Sequence, residues 1–158
     1  MALAGRRRKR RISIDVPPTL RSVIALIGGF AIMTFSVMVL TILAAWAFGV
    51  MRGEPTPPYL AASIVLSAFS AAAGGYSTAA LAPVRALAHA AGLGVMVLAL
   101  GVYAALHPQP GQPLWYLVVL AVIGPVFALA GGALATRRKR AGATAGTPAA
   151  PSGPPGAM

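Results

Sequence analysis

Four uncharged apolar runs dominate the chain and restrict what it can fold into. They cover residues 23–51, 59–83, 86–106 and 114–136, and each is 21 to 29 residues long. About 18 to 20 apolar residues suffice for a helix to cross a bilayer, so each run predicts one membrane-spanning helix. Lipid offers the backbone no hydrogen bonds, so each span must satisfy its own. We therefore predict an all-α fold, a bundle of four transmembrane helices built from two helical hairpins.

The rest of the chain divides into segments around this predicted membrane domain. Only 9% of residues are charged, against about 25% in soluble domains. Residues 1–22 form a basic cytoplasmic segment, residues 23–136 the four-helix domain, and residues 137–158 a cytoplasmic tail that is basic at first and then rich in Ala, Gly and Pro. Because residues 141–158 of this tail have no core-forming residues, we predict that they are disordered.

The distribution of charge predicts the orientation of the helices. The net charge is +11, from 13 Lys and Arg residues against Asp15 and Glu54. All the basic residues except Arg52 lie in the amino-terminal segment, in the turn before residue 86 or in the tail. Basic residues stay on the cytoplasmic side of a membrane, so both termini are predicted to be cytoplasmic. The first run is about twice as long as the apolar core of a secretion signal, which favours a retained helix.

The two basic runs have two interpretations. The favoured one is that they set the topology and attract anionic lipid headgroups. The other is nucleic-acid binding, which is disfavoured because no aromatic residues are interspersed and no binding module is recognisable. We therefore predict that the partner is the lipid bilayer and not nucleic acid, contacted through Arg6, Arg7, Arg8, Lys9, Arg10, Arg11, Arg137, Arg138, Lys139 and Arg140.

Small residues at every fourth position predict where the helices pack, because membrane helices associate through close backbone approach. The predicted packing residues are Ser67, Ala71, Gly75 and Ala79 in the second helix and Gly124, Ala128 and Gly132 in the fourth. We expect Gly75 to pack against another helix, with Ala72 on a different face. Such faces would also serve a homo-oligomer or a membrane-protein partner. In a chain rich in Ala and Gly this spacing also arises by chance, and that alternative stays open.

Residue types that carry catalysis or metal binding are scarce in this chain. There is no cysteine, and the predicted topology puts Asp15 and Glu54 on opposite sides of the membrane, so they cannot act as an acid–base pair. No metal-ligand motif or phosphate-binding glycine loop is present. We predict a protein that is not an enzyme, with no catalytic, cofactor or metal site, which acts as an accessory or interaction protein. The alternative is a small transporter or channel formed by self-association.

Tyr76 and His89 form a candidate polar pair. They lie seven residues before and six residues after Pro83, so an antiparallel hairpin puts them at matching depth. We expect the tyrosine hydroxyl to bond an imidazole nitrogen if the two faces turn toward each other. A proton-sensitive or ligand-binding role and a purely structural bond both fit this spacing.

A weak internal repeat accompanies these features. Shifting the chain by 57 residues lays Tyr59 on Tyr116 and the glycine pair 74–75 on the pair 131–132. The match favours a duplicated helical hairpin, although low complexity raises the number of such coincidences. A duplicated hairpin would give two parallel halves related by an axis along the membrane normal.

The hairpin of the second and third helices carries a resemblance to a known group of proteins. A stretch of about twenty residues resembles a pattern of small, uncharacterised four-helix membrane proteins of bacteria. The residues that carry the resemblance are Gly74, Gly75, Tyr76, Ala79, Ala82, Pro83, Arg85, Ala86, His89, Ala90 and Gly92. The resemblance implies an integral protein of a bacterial cell (inner) membrane. It implies no activity and no site residues.

Overall fold

The fold consists of four long helices. The computed structural model describes residues 17–82, 85–108 and 111–145, and within them it contains helices and no strands. The helices are α1 (Pro18–Ala47), α2 (Pro57–Leu81), α3 (Ala86–Leu106) and α4 (Leu114–Ala145). All four are long and apolar enough to cross a membrane. The predicted all-α class is confirmed. The predicted lipid contacts at residues 6–11 and the tail from residue 146 lie outside the described residues.

Proline and glycine set the ends of the first two helices. Each begins with proline in its first turn, where the missing N–H costs no hydrogen bond and the fixed φ suits a helix. After α1, Gly49 takes a positive φ of 68°, and the N–H groups of Gly49 and Val50 bond back to the carbonyls of Trp46 and Ala45. This is a Schellman motif, which ends a helix by satisfying its last carbonyls. It explains why α1 ends before residue 51, where the apolar run ends.

The last helix is longer than its apolar run. We predicted a membrane boundary at residue 136, but α4 continues through the basic residues to Ala145. The first residues of the segment predicted to be disordered, 141–145, are therefore helical. Ala, Arg and Lys are strong helix formers, so an existing helix propagates readily through them. The basic residues 137–140 consequently have fixed directions around a helix.

The two helices α2 and α4 lie side by side in the middle of the bundle and run in the same direction. Near their starts, Leu60 and Leu117 belong to one apolar cluster with Tyr116. Near their other ends, Ala79 of α2 and Ala135 of α4 belong to another. Leu60 and Leu117 differ by 57 residues, so the offset of the weak repeat coincides with the register of this parallel pair.

The outer helices pack against this central pair. Helix α1 packs along α2 in antiparallel fashion and makes a small contact with α3, whereas α3 packs mainly along α4 and also on α2. Small residues line both hairpins. At the start of α4, for example, Ala121 lies against Gly101 of α3, where an added Cβ would stand 2.7 Å from the Ala121 Cα.

The adjacent glycines of α2 contact two different helices. Gly74 faces α1, where a Cβ added to it would stand 3.0 Å from the carbonyl oxygen of Gly29 and 2.6 Å from the Cβ of Met33. Gly75 faces α4, where an added Cβ would overlap the backbone of Ala128. Neighbouring positions on a helix are about 100° apart, so a glycine pair lets two helices approach one helix closely.

The adjacent glycines of α4 act in the same way. Gly131 lies on the backbone of Ala72 in α2, and Gly132 lies on the side chain of Ala90 in α3. The expectation that Ala72 is on a different face from the α2–α4 contact is therefore wrong. Ala72 is one turn before Gly75, and both present backbone to α4.

Candidate functional site

The predicted packing residues fall into two groups. Six of the seven are buried, namely Ala71, Gly75, Ala79, Gly124, Ala128 and Gly132. Gly75 and Ala128 meet at the α2–α4 contact, whereas Gly124 faces Val97 of α3. Ser67 is only half-buried and lines a cavity instead. The fourth-position series on α2 therefore does not form one continuous interface.

The central crevice is a cavity of about 260 Å³ between all four helices. Each helix contributes apolar side chains to its wall, including Met33 of α1, Leu100 of α3 and Leu120 of α4. A dry apolar cavity of about 150 Å³ already admits benzene, so this space exceeds what one small aromatic molecule fills. Leu100 is about half exposed, so the crevice opens on the outside of the bundle beside α3.

Serine hydroxyls supply the polar groups of this region. Ser70 Oγ lies on the crevice wall and donates a hydrogen bond of 2.9 Å to the Leu66 carbonyl of its own helix. Ser67, one turn earlier, lies on the same wall without a hydrogen-bond partner among the described residues. Ser63 Oγ is fully buried beside Tyr116, but it forms no hydrogen bond with the tyrosine hydroxyl. The crevice is thus apolar with one available hydroxyl.

The structure does not join the candidate polar pair. His89 Nδ1 lies 3.2 Å from the carbonyl oxygen of Arg85 in its own turn. Tyr76 is half-buried and packs on the cluster of Ala79, Ala90 and Ala135. Among the described residues, no hydrogen bond links the tyrosine hydroxyl to the imidazole. The matching depth is therefore not accompanied by the expected hydrogen bond.

A lysine links the carboxy-terminal ends of α2 and α4. Lys139 Nζ donates hydrogen bonds of 2.9 Å and 3.1 Å to the carbonyl oxygens of Ala79 and Ala82. Ala79 lies in the last turn of α2 and Ala82 directly follows the helix. At this end the helix dipole is negative and the last carbonyls lack partners within the helix. Lys139 was predicted to contact lipid, but its ammonium is directed at the end of α2. The neighbouring Arg137, Arg138 and Arg140 are exposed.

Aromatic side chains cluster at the opposite end of the bundle. Phe48 and Tyr59 meet edge to face with ring centroids 6.4 Å apart, and Tyr103 stacks on His107 at 4.4 Å. Trp46 is three-quarters exposed at the end of α1. Aromatic rings favour the membrane interface, whereas the basic residues gather at the other end.

Two features of the site were missed from the sequence. The cap provided by Lys139 depends on where α2 ends beside α4, which spacing along the chain does not reveal. The crevice depends on how the four helices are rotated about their axes, although a hydroxyl side chain, Ser67, at the start of the fourth-position series of small residues was a visible signal. The structure brings no group of three or more metal-ligating side chains together in its described part. Comparison with protein-family models, curated proteins and solved structures finds no match.

Proposed function

We propose that this chain is a multi-pass protein of a bacterial cell membrane, with both termini in the cytoplasm, that acts as a non-enzymatic accessory or interaction protein. Four helices long and apolar enough to span a membrane support the placement. The segregation of basic and aromatic residues to opposite ends supports the orientation. Exposed Arg137, Arg138 and Arg140 at the basic end suit contact with anionic headgroups.

The proposed role is supported mainly by the hydrogen bonds of the hydroxyl side chains, which are made within single helices. The hydroxyls of Ser70, Thr78 and Thr136 each donate to a carbonyl four residues earlier in the same helix. Transport and catalysis within membranes depend on polar or ionisable groups that face a substrate. Here these hydroxyls are directed at their own backbone, and the walls of the central crevice are mainly apolar. Such an arrangement suits contact with lipid and with apolar partner surfaces.

A pore formed by self-association is the competing function. It was predicted to use the small-residue faces of α2 and α4, but six of the seven predicted packing residues are already buried within one chain, against α3 or in the contact between α2 and α4. Association through them would require the monomer to open. A pore would therefore have to be built from the lipid-facing surface, where large apolar side chains such as Phe35 and Ile42 of α1 are exposed.

Purification in mild detergent followed by mass determination tests the proposed role. We expect a complex whose mass is not a multiple of the 16.0 kDa chain, together with no solute flux when the protein is placed in liposomes. Gly75→Leu is the control, because it disrupts the α2–α4 contact and should abolish specific association while leaving non-specific adhesion unchanged. A mass that is a multiple of one chain, accompanied by flux, would establish the competing function. A monomer in every mild detergent would contradict an interaction role.

A further inference from the structure

The basic run of α4 is distributed around a helix rather than forming one charged face. Residues 137–140 lie within α4, which is continuous to Ala145. Successive residues of an α-helix are about 100° apart, so the four side chains leave the helix in four directions. Their roles therefore differ according to what lies in each direction.

Lys139 is directed at protein. Lys139 donates to two carbonyls at the carboxy-terminal end of α2, at 2.9 Å and 3.1 Å. Arg137 is two positions earlier and so leaves the helix about 200° away, on the side turned from α2. It is exposed there. The helix geometry thus separates a cation that caps a helix from a cation that faces the surroundings of the bundle.

Arg137 stands at the end of an open groove on the outside of α4. The groove has a volume of about 410 Å³ and is lined by Ala130, Ala133, Leu134 and Arg137. These positions form one stripe along the helix, about 10 Å long at 1.5 Å per residue. The two alanines have small side chains, so the surface of the helix is recessed along this stripe. The arginine gives the groove a positive charge at its cytoplasmic end. A ligand that fits it has an apolar chain joined to an anionic group.

We propose that this groove binds one anionic phospholipid of the cytoplasmic leaflet, with the lipid phosphate on Arg137 and an acyl chain over Ala130 and Ala133. The inference deepens the lipid contact of the proposed function and rests on the proposed membrane placement. A guanidinium matches a phosphate because it offers two parallel N–H donors. The charge of the ligand complements the basic end of the groove, and its chain complements the apolar wall.

The test compares two variants that lose the same charge. Arg137→Gln removes the guanidinium at the groove, and Arg138→Gln removes one that leaves the helix about 100° away. Purified full-length protein is titrated with phosphatidylglycerol in detergent micelles, and bound lipid is counted by native mass spectrometry. We expect Arg137→Gln to weaken the tightest lipid by roughly tenfold or more, as loss of a charge-assisted bond implies. Arg138→Gln should change it by less than about threefold, because Arg138 is not part of the groove lining and contributes only to the general attraction of the basic end for anionic lipid.

Two further experiments test the apolar groove and the anionic group separately. Ala133→Phe fills the groove and keeps every charge, so it should also weaken the tightest lipid, while thermal unfolding confirms that the variant is folded. Glycerol phosphate, which has the anion but no acyl chain, should not compete. Competition by glycerol phosphate would overturn the lipid as ligand, and equal losses for Arg137→Gln and Arg138→Gln would overturn the groove. Recovery of the chain outside the membrane fraction would instead overturn the proposed function.

Discussion

The close contact between α2 and α4 predicts that the same substitution, glycine to alanine, has opposite effects on stability at two positions. Gly75 and Gly28 are both glycines within membrane-spanning helices, and each is changed to alanine. A Cβ added at Gly75 would stand 2.6 Å from the carbonyl carbon of Ala128 and 2.7 Å from its Cα. A Cβ added at Gly28 meets only Leu81 Cδ1 at 3.5 Å, which is an ordinary contact. The first position has no room for a methyl group, and the second does.

The geometry gives the magnitude of both effects. Carbon atoms in contact prefer about 3.5–4.0 Å, so Gly75→Ala forces the backbones of α2 and α4 apart by roughly 1 Å. Overpacking of this kind costs about 1–3 kcal/mol, and the better helix propensity of alanine offsets roughly 0.5–1 kcal/mol of it. We expect Gly75→Ala to lower the free energy of unfolding by about 1–2 kcal/mol. Gly28→Ala causes no overpacking and gains only the better helix propensity of alanine, so it should raise the free energy of unfolding by roughly 0.5–1 kcal/mol.

Thermal unfolding in detergent, followed by the fluorescence of Trp46 and Trp115, measures both changes. Ala73→Leu is a further control, because Ala73 is exposed on the same helix as Gly75 and should tolerate a large apolar side chain. The reasoning is refuted if Gly75→Ala is as stable as the unmodified protein, or if Gly28→Ala and Gly75→Ala shift the midpoint in the same direction by similar amounts.

Three further predictions concern single polar groups, each measured by the same unfolding assay. Lys139→Met should lower the free energy of unfolding by about 1 kcal/mol, because two carbonyls at the end of α2 lose their donor. The control Arg138→Gln should change it by less than about 0.5 kcal/mol. Equal effects of the two substitutions would contradict the capping role of Lys139. Ser63→Ala should be neutral or stabilising by up to about 1 kcal/mol, since its buried hydroxyl has no partner, and a clear loss would show that it has one. Tyr76→Phe and His89→Ala should be additive within about 0.5 kcal/mol, and a larger coupling would show that the two side chains interact.

The helices themselves were predictable because the constraint that forms them is local. A span in lipid has to be apolar, uncharged and long enough, and all three properties are visible in the sequence. The ends were less predictable. Helix α1 ends early because Gly49 takes a positive φ, and α4 extends because residues beyond its apolar run still favour a helix. Neither outcome depends on hydropathy.

The partners of individual residues were predictable only in part. Gly75 was expected to meet another helix, and it meets α4. The sequence did not reveal that Gly74 would meet α1, because helix rotation decides which neighbour each glycine faces. The rotation also turns Ser67 into the crevice and directs Lys139 at the end of α2. These placements depend on distances between helices far apart in sequence, which a periodic pattern does not contain.

The labelling of single cysteines tests the central claim, four spans with both termini in the cytoplasm, most directly. The chain contains no cysteine, so each introduced thiol reports alone. Gly53→Cys and Gln112→Cys lie in the loops before α2 and α4, and Gly142→Cys lies near the end of α4. With a membrane-impermeant maleimide on intact cells, the account predicts labelling at positions 53 and 112, and labelling at 142 only after permeabilisation. Labelling of Gly142→Cys in intact cells, or of positions 53 and 112 from opposite sides, would contradict it.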